Sequence, residues 1–434
     1  METLDFQKIN NIHFIGIGGV GMSALAQLFL EQGKGISGSD SGESKTIEML
    51  RERGVEISIG HSVNNVPSDA DLVIYSDAVK ANNVERVRAG ELSKQTLSYF
   101  EALGKVASEY YLIAVSGAHG KTTTTAMLAD VLEDTGLDPT VVVGSIRART
   151  KSNFRAGKSN YFVVEADEYM RHFLNFTPKV LIILNIDGDH LDYYKDIADI
   201  QSAFGELVSK IPEDGFLICN PKGPNMDKVT ERAKCKVVDY TLYIQNDLAL
   251  KAPGNHNRSN AGAVLAAAEV LGIERGKSEE SLKNFAGTWR RFEYKGETEG
   301  GALVYDDYAH HPTEIAATLQ AARERFVDKK IVLVFQPHLY SRTKLLKRGF
   351  IEALSKADIV LLAPIYAARE ANDSSITSEM LVEEISKKTT AKSFNSLEEI
   401  EEYLKTKNAD SNLVIIITMG AGDIYKVGES LVKK

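Results

Sequence analysis

Cysteine is nearly missing from this chain: Cys219 and Cys235 are the only two in 434 residues. They are too few and too far apart for a disulfide framework or a cysteine zinc site. An excess of positive charge is also missing. Lysine and arginine number 51 against 60 acidic residues, a net charge of −9. That balance argues against nucleic acid or an anionic membrane as partner, and leaves any anionic substrate to be held by local groups. No apolar run approaches membrane length, and METLDFQKIN lacks the basic and apolar character of a signal segment. Internal repeats and low-complexity tracts are absent too. The expectation is a cytoplasmic globular protein with no nucleic-acid or membrane partner, monomer or homodimer. Its length leaves room for about three domains.

The chain is organised around 111–136, YLIAVSGAHGKTTTTAMLADVLEDTG. Leu112 to Val115 read as a buried parallel strand. Gly117-Ala118-His119-Gly120-Lys121-Thr122-Thr123 is a turn, and Met127, Leu128, Val131 and Leu132 recur at helical spacing. A strand, a glycine turn ending Gly-Lys-Thr and a helix make a nucleotide triphosphate site. The glycines let backbone amides close on phosphate oxygens, and the helix start adds unpaired donors. Lys121 would reach the β- and γ-phosphates, and Thr122 would offer its hydroxyl to Mg²⁺. The loop is shorter than the general phosphate loop, with Val115 where that pattern has its first glycine. An ordinary strand–turn–helix junction with a surface lysine is the plain alternative.

Upstream, Ile12 to Ile17 read as a strand, followed by Gly16-Ile17-Gly18-Gly19-Val20-Gly21 and a helix over Met22 to Gln32. Asp40 stands nineteen residues after Gly21. This is a dinucleotide-fold fingerprint in context. It specifies a diphosphate at a helix start and a polar group at a ribose, which a UDP-sugar carries as well as NAD does. This first domain is expected to close near Gly104.

In the central part, Tyr161 to Val164 and Val180 to Leu184 read as strands. The first ends in Glu165-Ala166-Asp167-Glu168, carboxylates suited to a hard cation, although Asp167 and Glu168 read nearly as well as a solvated acidic loop. The second leads to Asn185-Ile186-Asp187-Gly188-Asp189-His190. His190 reads equally as a metal ligand and as a structural histidine. Asn257 and Asn260 precede an alanine-rich helix, Ala261 to Leu271. Asparagines can read an adenine edge, but capping is the simpler role. Arg290-Arg291 can grip phosphate. After that, strands at Leu303 to Tyr305, Ile331 to Phe335, Ile359 to Ala363 and Leu413 to Thr418 each run into a polar or glycine-bearing loop. Those loops would gather at one sheet edge, bringing Asp307, His311, His338 and Arg342 together as candidates.

IHFIGIGGVGMSALA, SGSD, SGAHGKTTTT, VEADEY, NIDGDH, NHNRSNAGAVLAAA, WRRFE, DDYAHHPTEI, FQPHLYSRT and MGAGDIY, in that order, resemble the Mur ligase family over nearly the whole chain. The resemblance implies an α/β protein of three domains. They are an N-terminal Rossmann-like UDP-binding domain (1–104), a central P-loop ATPase domain with a mainly parallel sheet (105–290) and a C-terminal Rossmann-like amino-acid domain (291–434). It implies ATP and Mg²⁺ as cofactors, UDP-N-acetylmuramate and L-alanine as substrates, and amide formation through an acyl phosphate.

By that resemblance Lys121 stabilises the β- and γ-phosphates, with Gly117, His119, Gly120 and Thr123 in the same loop. Thr122 and Glu165 hold one Mg²⁺, and Glu165 with His190 a second. Asn257 and Asn260 lie by adenine, Arg291 reaches a phosphate, and Asp307 reaches the ribose or a phosphate-bound water. Gly18, Gly19, Gly21 and Asp40 hold the UDP part, with His172 near the sugar. His311, His338 and Arg342 line the amino-acid pocket. Where many members have an arginine this chain has Leu339, which leaves Arg342 as the main partner of the acceptor carboxylate. Tyr169 and Met170 also depart from the commonest pattern, and neither Lys195 nor Lys210 matches the family's carbamylated lysine. The close rival is a ligase that recycles a preformed tripeptide onto the same nucleotide sugar. An NAD-dependent nucleotide-sugar oxidoreductase and a non-catalytic nucleotide-binding regulator are the rivals of other classes.

Overall fold

The computed structural model describes residues 5–190, 193–368, 370–406 and 411–433. Three sheets follow one another along the chain. The first has five parallel strands in the order Glu56–Ile59, Gly35–Asp40, Asn11–Ile15, Leu72–Tyr75, Gln95–Ser98. Its opening strand stops two residues short of the expected Ile17, because Gly16 turns the chain at φ +84. The helix after it, Val20–Glu31, buries Met22, Ala24, Leu25, Leu28 and Phe29 against the sheet.

The central sheet has seven strands, with Tyr111–Ser116 between Val180–Ile183 and Tyr161–Glu165. It is parallel except for the outer pair Thr140–Arg147 and Ser152–Arg155. Helix Lys121–Asp134 buries Met127, Leu128, Val131 and Leu132 completely. At ~1.5–3 kcal/mol for each such side chain, that face anchors the phosphate loop to the core. The alanine-rich helix runs Asn255–Val270, so Asn257 lies inside its first turn and not before it. The Asn257 amide donates to the Pro253 carbonyl at 2.8 Å. The third sheet has six strands, parallel but for Glu293–Glu297, and its central strand Val414–Met419 is buried throughout.

The chain forms two compact units, Met1–Ile244 with Asn260–Leu282, and Gln245–Ser259 with Lys283–Lys434. The first two domains thus share one unit. Gly104, the expected edge of the first domain, lies inside helix Tyr99–Ala107, where a Cβ would stand 2.3 Å from the Asn175 carbonyl oxygen. The Asn153 amide donates to the Val20 carbonyl at 2.7 Å, and His172 stacks on Phe100 with ring centroids 3.9 Å apart. A single buried cluster joins Leu25 and Leu103 to Phe173 and Leu181.

Of the two adjacent arginines, Arg290 is a core residue of the second unit. It is 2% exposed, 2.7 Å from Asp306, and donates to the Gly422 and Gly420 carbonyls at 3.0 and 2.5 Å. Arg291 instead lies over the Tyr308 ring at 5.2 Å. Arg290→Ala strands a buried carboxylate and should cost ~3–5 kcal/mol, while Arg291→Ala costs less than ~1 kcal/mol. Thermal unfolding of the two variants checks this, and equal melting temperatures would contradict it.

Candidate active site

The phosphate loop is shaped by two glycines and one asparagine. Gly117 has φ +131 and Gly120 φ +88, values at which a side chain is strained. Space is also short: a Cβ on Gly120 would meet Asn260 Oδ1 at 2.6 Å. Asn185, just past strand Val180–Ile183, clamps the loop from the side. Its Oδ1 accepts from the His119 amide at 2.8 Å and its Nδ2 donates to the His119 carbonyl at 2.9 Å. Its own carbonyl accepts from Ala118 at 3.2 Å. His119 Nε2 lies 3.2 Å from Asp187. Helix Lys121–Asp134 starts directly behind, with no side chain capping its first amides. Such a start is an anion site in waiting.

Lys121 Nζ donates to the Gly117 carbonyl at 2.7 Å and to both oxygens of Glu168, at 2.9 and 2.7 Å. Burial works against the lysine's charge, but Glu168 and Asp167 outweigh it and hold its pKa above the usual lysine value. For Glu168 burial is the larger effect: with Asp167 adding to it and Lys121 opposing, the carboxyl is pushed up to about 7. Lys121 is therefore kept charged by a carboxylate that bears its own charge reluctantly.

Thr122 Oγ1 donates to Glu165 Oε1 at 3.0 Å, and Glu165 Oε2 accepts from the Gly144 amide at 2.8 Å. The expected pairing of Thr122 with Glu165 is present. His190, at φ +55, has its Nε2 3.6 Å from Glu168, and it forms a close group with Asp167 and Glu168 whose donor atoms all lie within 4.8 Å. Glu165 is fixed by Gly144 at the strand end, while the two acids beyond it turn toward His190. Thr123 is half-buried in the first helical turn.

At the first sheet, a cavity of 720 Å³ is lined by Gly16, Gly18, Gly19, Asp40 and Ser76. Asp40 is turned onto the glycine loop: Oδ2 accepts from Gly18 at 2.8 Å and Oδ1 from Ser41 at 2.7 Å. Gly21 does not face this cavity. A Cβ there would stand 2.5 Å from Tyr99 Cζ, so the glycine allows close packing of that ring. His172 lies 3.9 Å from Asp77 of the first domain and 3.8 Å from Asp167 of the central one.

In the second unit, His338 stacks on Tyr366 with centroids 5.8 Å apart, and Arg342 Nη1 lies 3.5 Å from its Nδ1. His311 is the N-cap of helix Pro312–Arg325, with Nδ1 accepting from Thr313 at 3.3 Å. Asp307 is buried within its own loop, accepting from Phe292 at 3.0 Å, Ala309 at 2.8 Å and Thr318 at 3.2 Å. Burial lifts its carboxyl to about 6. Leu339 is 6% exposed at φ +67, so its side chain packs inward.

Three domain models of one family match in succession: the Mur ligase catalytic domain over 11–111, the Mur ligase middle domain over 115–252 and the Mur ligase glutamate ligase domain over 290–422. A UDP-N-acetylmuramate–L-alanine ligase of Agathobacter rectalis is 41% identical, covering 100% of both chains. One from Clostridium novyi is 42% identical over 98% of each. This chain belongs to the Mur ligase family. The solved UDP-N-acetylmuramate–alanine ligase of Thermotoga maritima superposes with a TM-score of 0.78 at 32% identity, covering 97% of this chain and 98% of that one. A murein peptide ligase of Psychrobacter arcticus shares the fold, with a TM-score of 0.69 at 24% identity over 98% and 100%.

Two residues of this Mur ligase's site carried little sequence signal. Glu168 sits in a short acidic run that reads nearly as well as solvated, yet it is 3% exposed and grips Lys121. Asn185 reads as a strand end, and only the fold shows that its amide spans the loop. Asn185→Ala removes two hydrogen bonds that hold the loop open for phosphate. At ~1 kcal/mol each, it should raise KM for ATP roughly tenfold or more without changing binding at the first-sheet cavity. Steady-state kinetics with varied ATP check this, and an unchanged KM would contradict it.

Proposed function

We propose that this chain joins L-alanine to the lactyl carboxylate of UDP-N-acetylmuramate, with ATP converted to ADP and phosphate, as a step of peptidoglycan precursor synthesis. The observation that carries the reading is full-length similarity to relatives named for that reaction, together with a phosphate loop whose lysine is charged and in place. The recycling reading draws on lower similarity, 24% and 26% identity to two solved ligases of that kind. The oxidoreductase reading leaves Lys121, Thr122 and Glu165 without a task.

A carboxylate at neutral pH is a poor electrophile. Its oxygen attacks the γ-phosphorus of ATP, the bond to the β-phosphate oxygen breaks, and acyl phosphate and ADP result. The amine of alanine then adds to the acyl carbon, loses a proton, and phosphate departs as the amide forms. Such chemistry needs positioning and charge neutralisation more than covalent help. Lys121 supplies charge at the γ-phosphate, exchanging Glu168 for a better anion. The helix start and the loop amides hold the β-phosphate. Thr122 with Glu165, and Asp167 and Glu168 with His190, are oxygen-rich sets that fit Mg²⁺, which when bound would neutralise phosphate charge. The cavity above Gly18 and Gly19 takes the UDP part. Arg342 and His338 are the groups for the acceptor's carboxylate, and Leu339, packed inward, contributes none. Among the described residues no helix is long and apolar enough to cross a membrane; action in the cytoplasm is part of this proposal.

Phosphate release from ATP and Mg²⁺ should require both UDP-N-acetylmuramate and a single amino acid, L-alanine first among glycine and L-serine. Release with L-Ala-γ-D-Glu-diaminopimelate alone would make it the recycling enzyme. Lys121→Ala should abolish release while leaving UDP-N-acetylmuramate affinity within about twofold, because the two ligands use different sheets. A tenfold loss of sugar-nucleotide binding in that variant would overturn the assignment.

A further inference from the structure

Where the first domain meets the central one stands a hydrogen-bond donor that the reaction so far does not use. Helix Tyr99–Ala107 opens on Tyr99 and Phe100. Its start is fixed by a capping box: Ser98 Oγ accepts from the Glu101 amide at 3.3 Å, and Glu101 Oε2 accepts from the Ser98 amide at 2.7 Å. Phe100 stacks on His172 of the central domain, and the Tyr99 ring meets Phe100 edge-on with centroids 4.7 Å apart. The far end of Tyr99 reaches the fingerprint helix, where a Cβ on Gly21 would stand 2.6 Å from its hydroxyl oxygen. The residue is only half-buried, and among the described residues its hydroxyl has no hydrogen-bond partner.

The surroundings of that hydroxyl join the two domains. Asn153, on strand Ser152–Arg155, donates to the Val20 carbonyl and so ties the first turn of helix Val20–Glu31 to the central sheet. The adjoining strand Thr140–Arg147 carries Gly144, whose amide holds Glu165. Tyr99, against Gly21 and within the field of Glu165, lies at this junction. Burial first, and then the charges of Glu165, Asp167 and Asp77, hold its pKa above the usual tyrosine value. The hydroxyl keeps its proton and has it to give. A nucleotide sugar with its diphosphate at Gly18 and Gly19 has to bring its carboxylate across this junction to reach a γ-phosphate beside Lys121 and Thr122. That carboxylate, like the three acids, only accepts hydrogen bonds.

We propose that the Tyr99 hydroxyl donates to the lactyl carboxylate of the nucleotide sugar, at the oxygen that does not attack phosphorus. The bond aims the other oxygen at the γ-phosphorus. It persists when the first becomes the carbonyl oxygen of the acyl phosphate, and no proton is transferred. A hydrogen bond to an ionised acceptor is among the stronger ones, and a rigid ring loses little freedom in making it. Tyr99 is thus a specificity-determining contact, which a nucleotide sugar lacking the carboxylate leaves unused. The inference rests on the reading of the first-sheet cavity as the UDP site.

Tyr99→Phe removes the hydroxyl and keeps the ring. Calorimetric titration of the full chain with UDP-N-acetylmuramate and with UDP-N-acetylglucosamine, which has no lactyl carboxylate, tests the proposal. The variant should bind the first about tenfold or more weakly and the second within about twofold of the native protein, the unchanged second value showing that it is folded. In turnover, kcat/KM for UDP-N-acetylmuramate should fall by a similar factor while KM for ATP stays within about twofold. Equal loss of both nucleotide sugars, or loss of neither, would overturn the role of Tyr99 and leave the UDP site standing. Binding of neither nucleotide sugar by the native protein would overturn the UDP reading itself and this inference with it.

Discussion

The ion pair between Lys121 and Glu168 is the contact on which the catalytic half of this molecule depends. A lysine buried behind a phosphate loop has to stay charged when no phosphate is present, or burial would strip its proton. Glu168 keeps it charged, and at 2.7 Å also aims it across the Gly117 carbonyl. The carboxylate is itself buried and crowded by Asp167, so it holds the lysine without holding it irreversibly. A triphosphate brings more charge and more oxygens to the same place. Asn185 and the two left-handed glycines then keep the loop amides pointed at the space where those oxygens arrive.

The same economy of design recurs at the first sheet. There a carboxylate, Asp40, shapes the glycine turn by accepting from Gly18, and a second, Glu85, is buried under hydrogen bonds from Ser39, Ser62 and Asn65. Buried carboxylates can do this because they accept several hydrogen bonds in defined directions, while their charge is satisfied by neighbours already in place. In the second unit Arg290 has the corresponding task. It ties the glycine loop at 420–422 to Asp306.

Much of this was legible before any coordinates. The strand–turn–helix around Lys121 was readable because apolar periodicity changes from a short continuous run to helical spacing across two glycines. The nearness of Thr122 to Glu165 was implied by the family resemblance, and the strand placement of Glu165 agreed with it. What stayed hidden depends on contacts distant in sequence. Gly21 reads as part of a ligand fingerprint, but Tyr99 fills the space before it. That His311 caps the helix begun by Pro312 is likewise visible only in the fold. The grouping of His190 with Asp167 and Glu168, and the bond from Gly144 that fixes Glu165 beside Thr122, follow no spacing rule. The first two domains share one compact unit because Gly104 lets a helix lie against the chain at Asn175, a contact between segments some seventy residues apart.

The central claim is that the carboxylate of the nucleotide sugar is activated by direct attack on the γ-phosphorus. The measurement that tests it most directly is oxygen transfer during turnover. UDP-N-acetylmuramate labelled with ¹⁸O in its lactyl carboxylate is converted with ATP, Mg²⁺ and L-alanine, and the products are analysed by mass spectrometry. The account predicts one labelled oxygen in each inorganic phosphate released, with ADP unlabelled. Unlabelled phosphate, or label recovered in AMP, would contradict it.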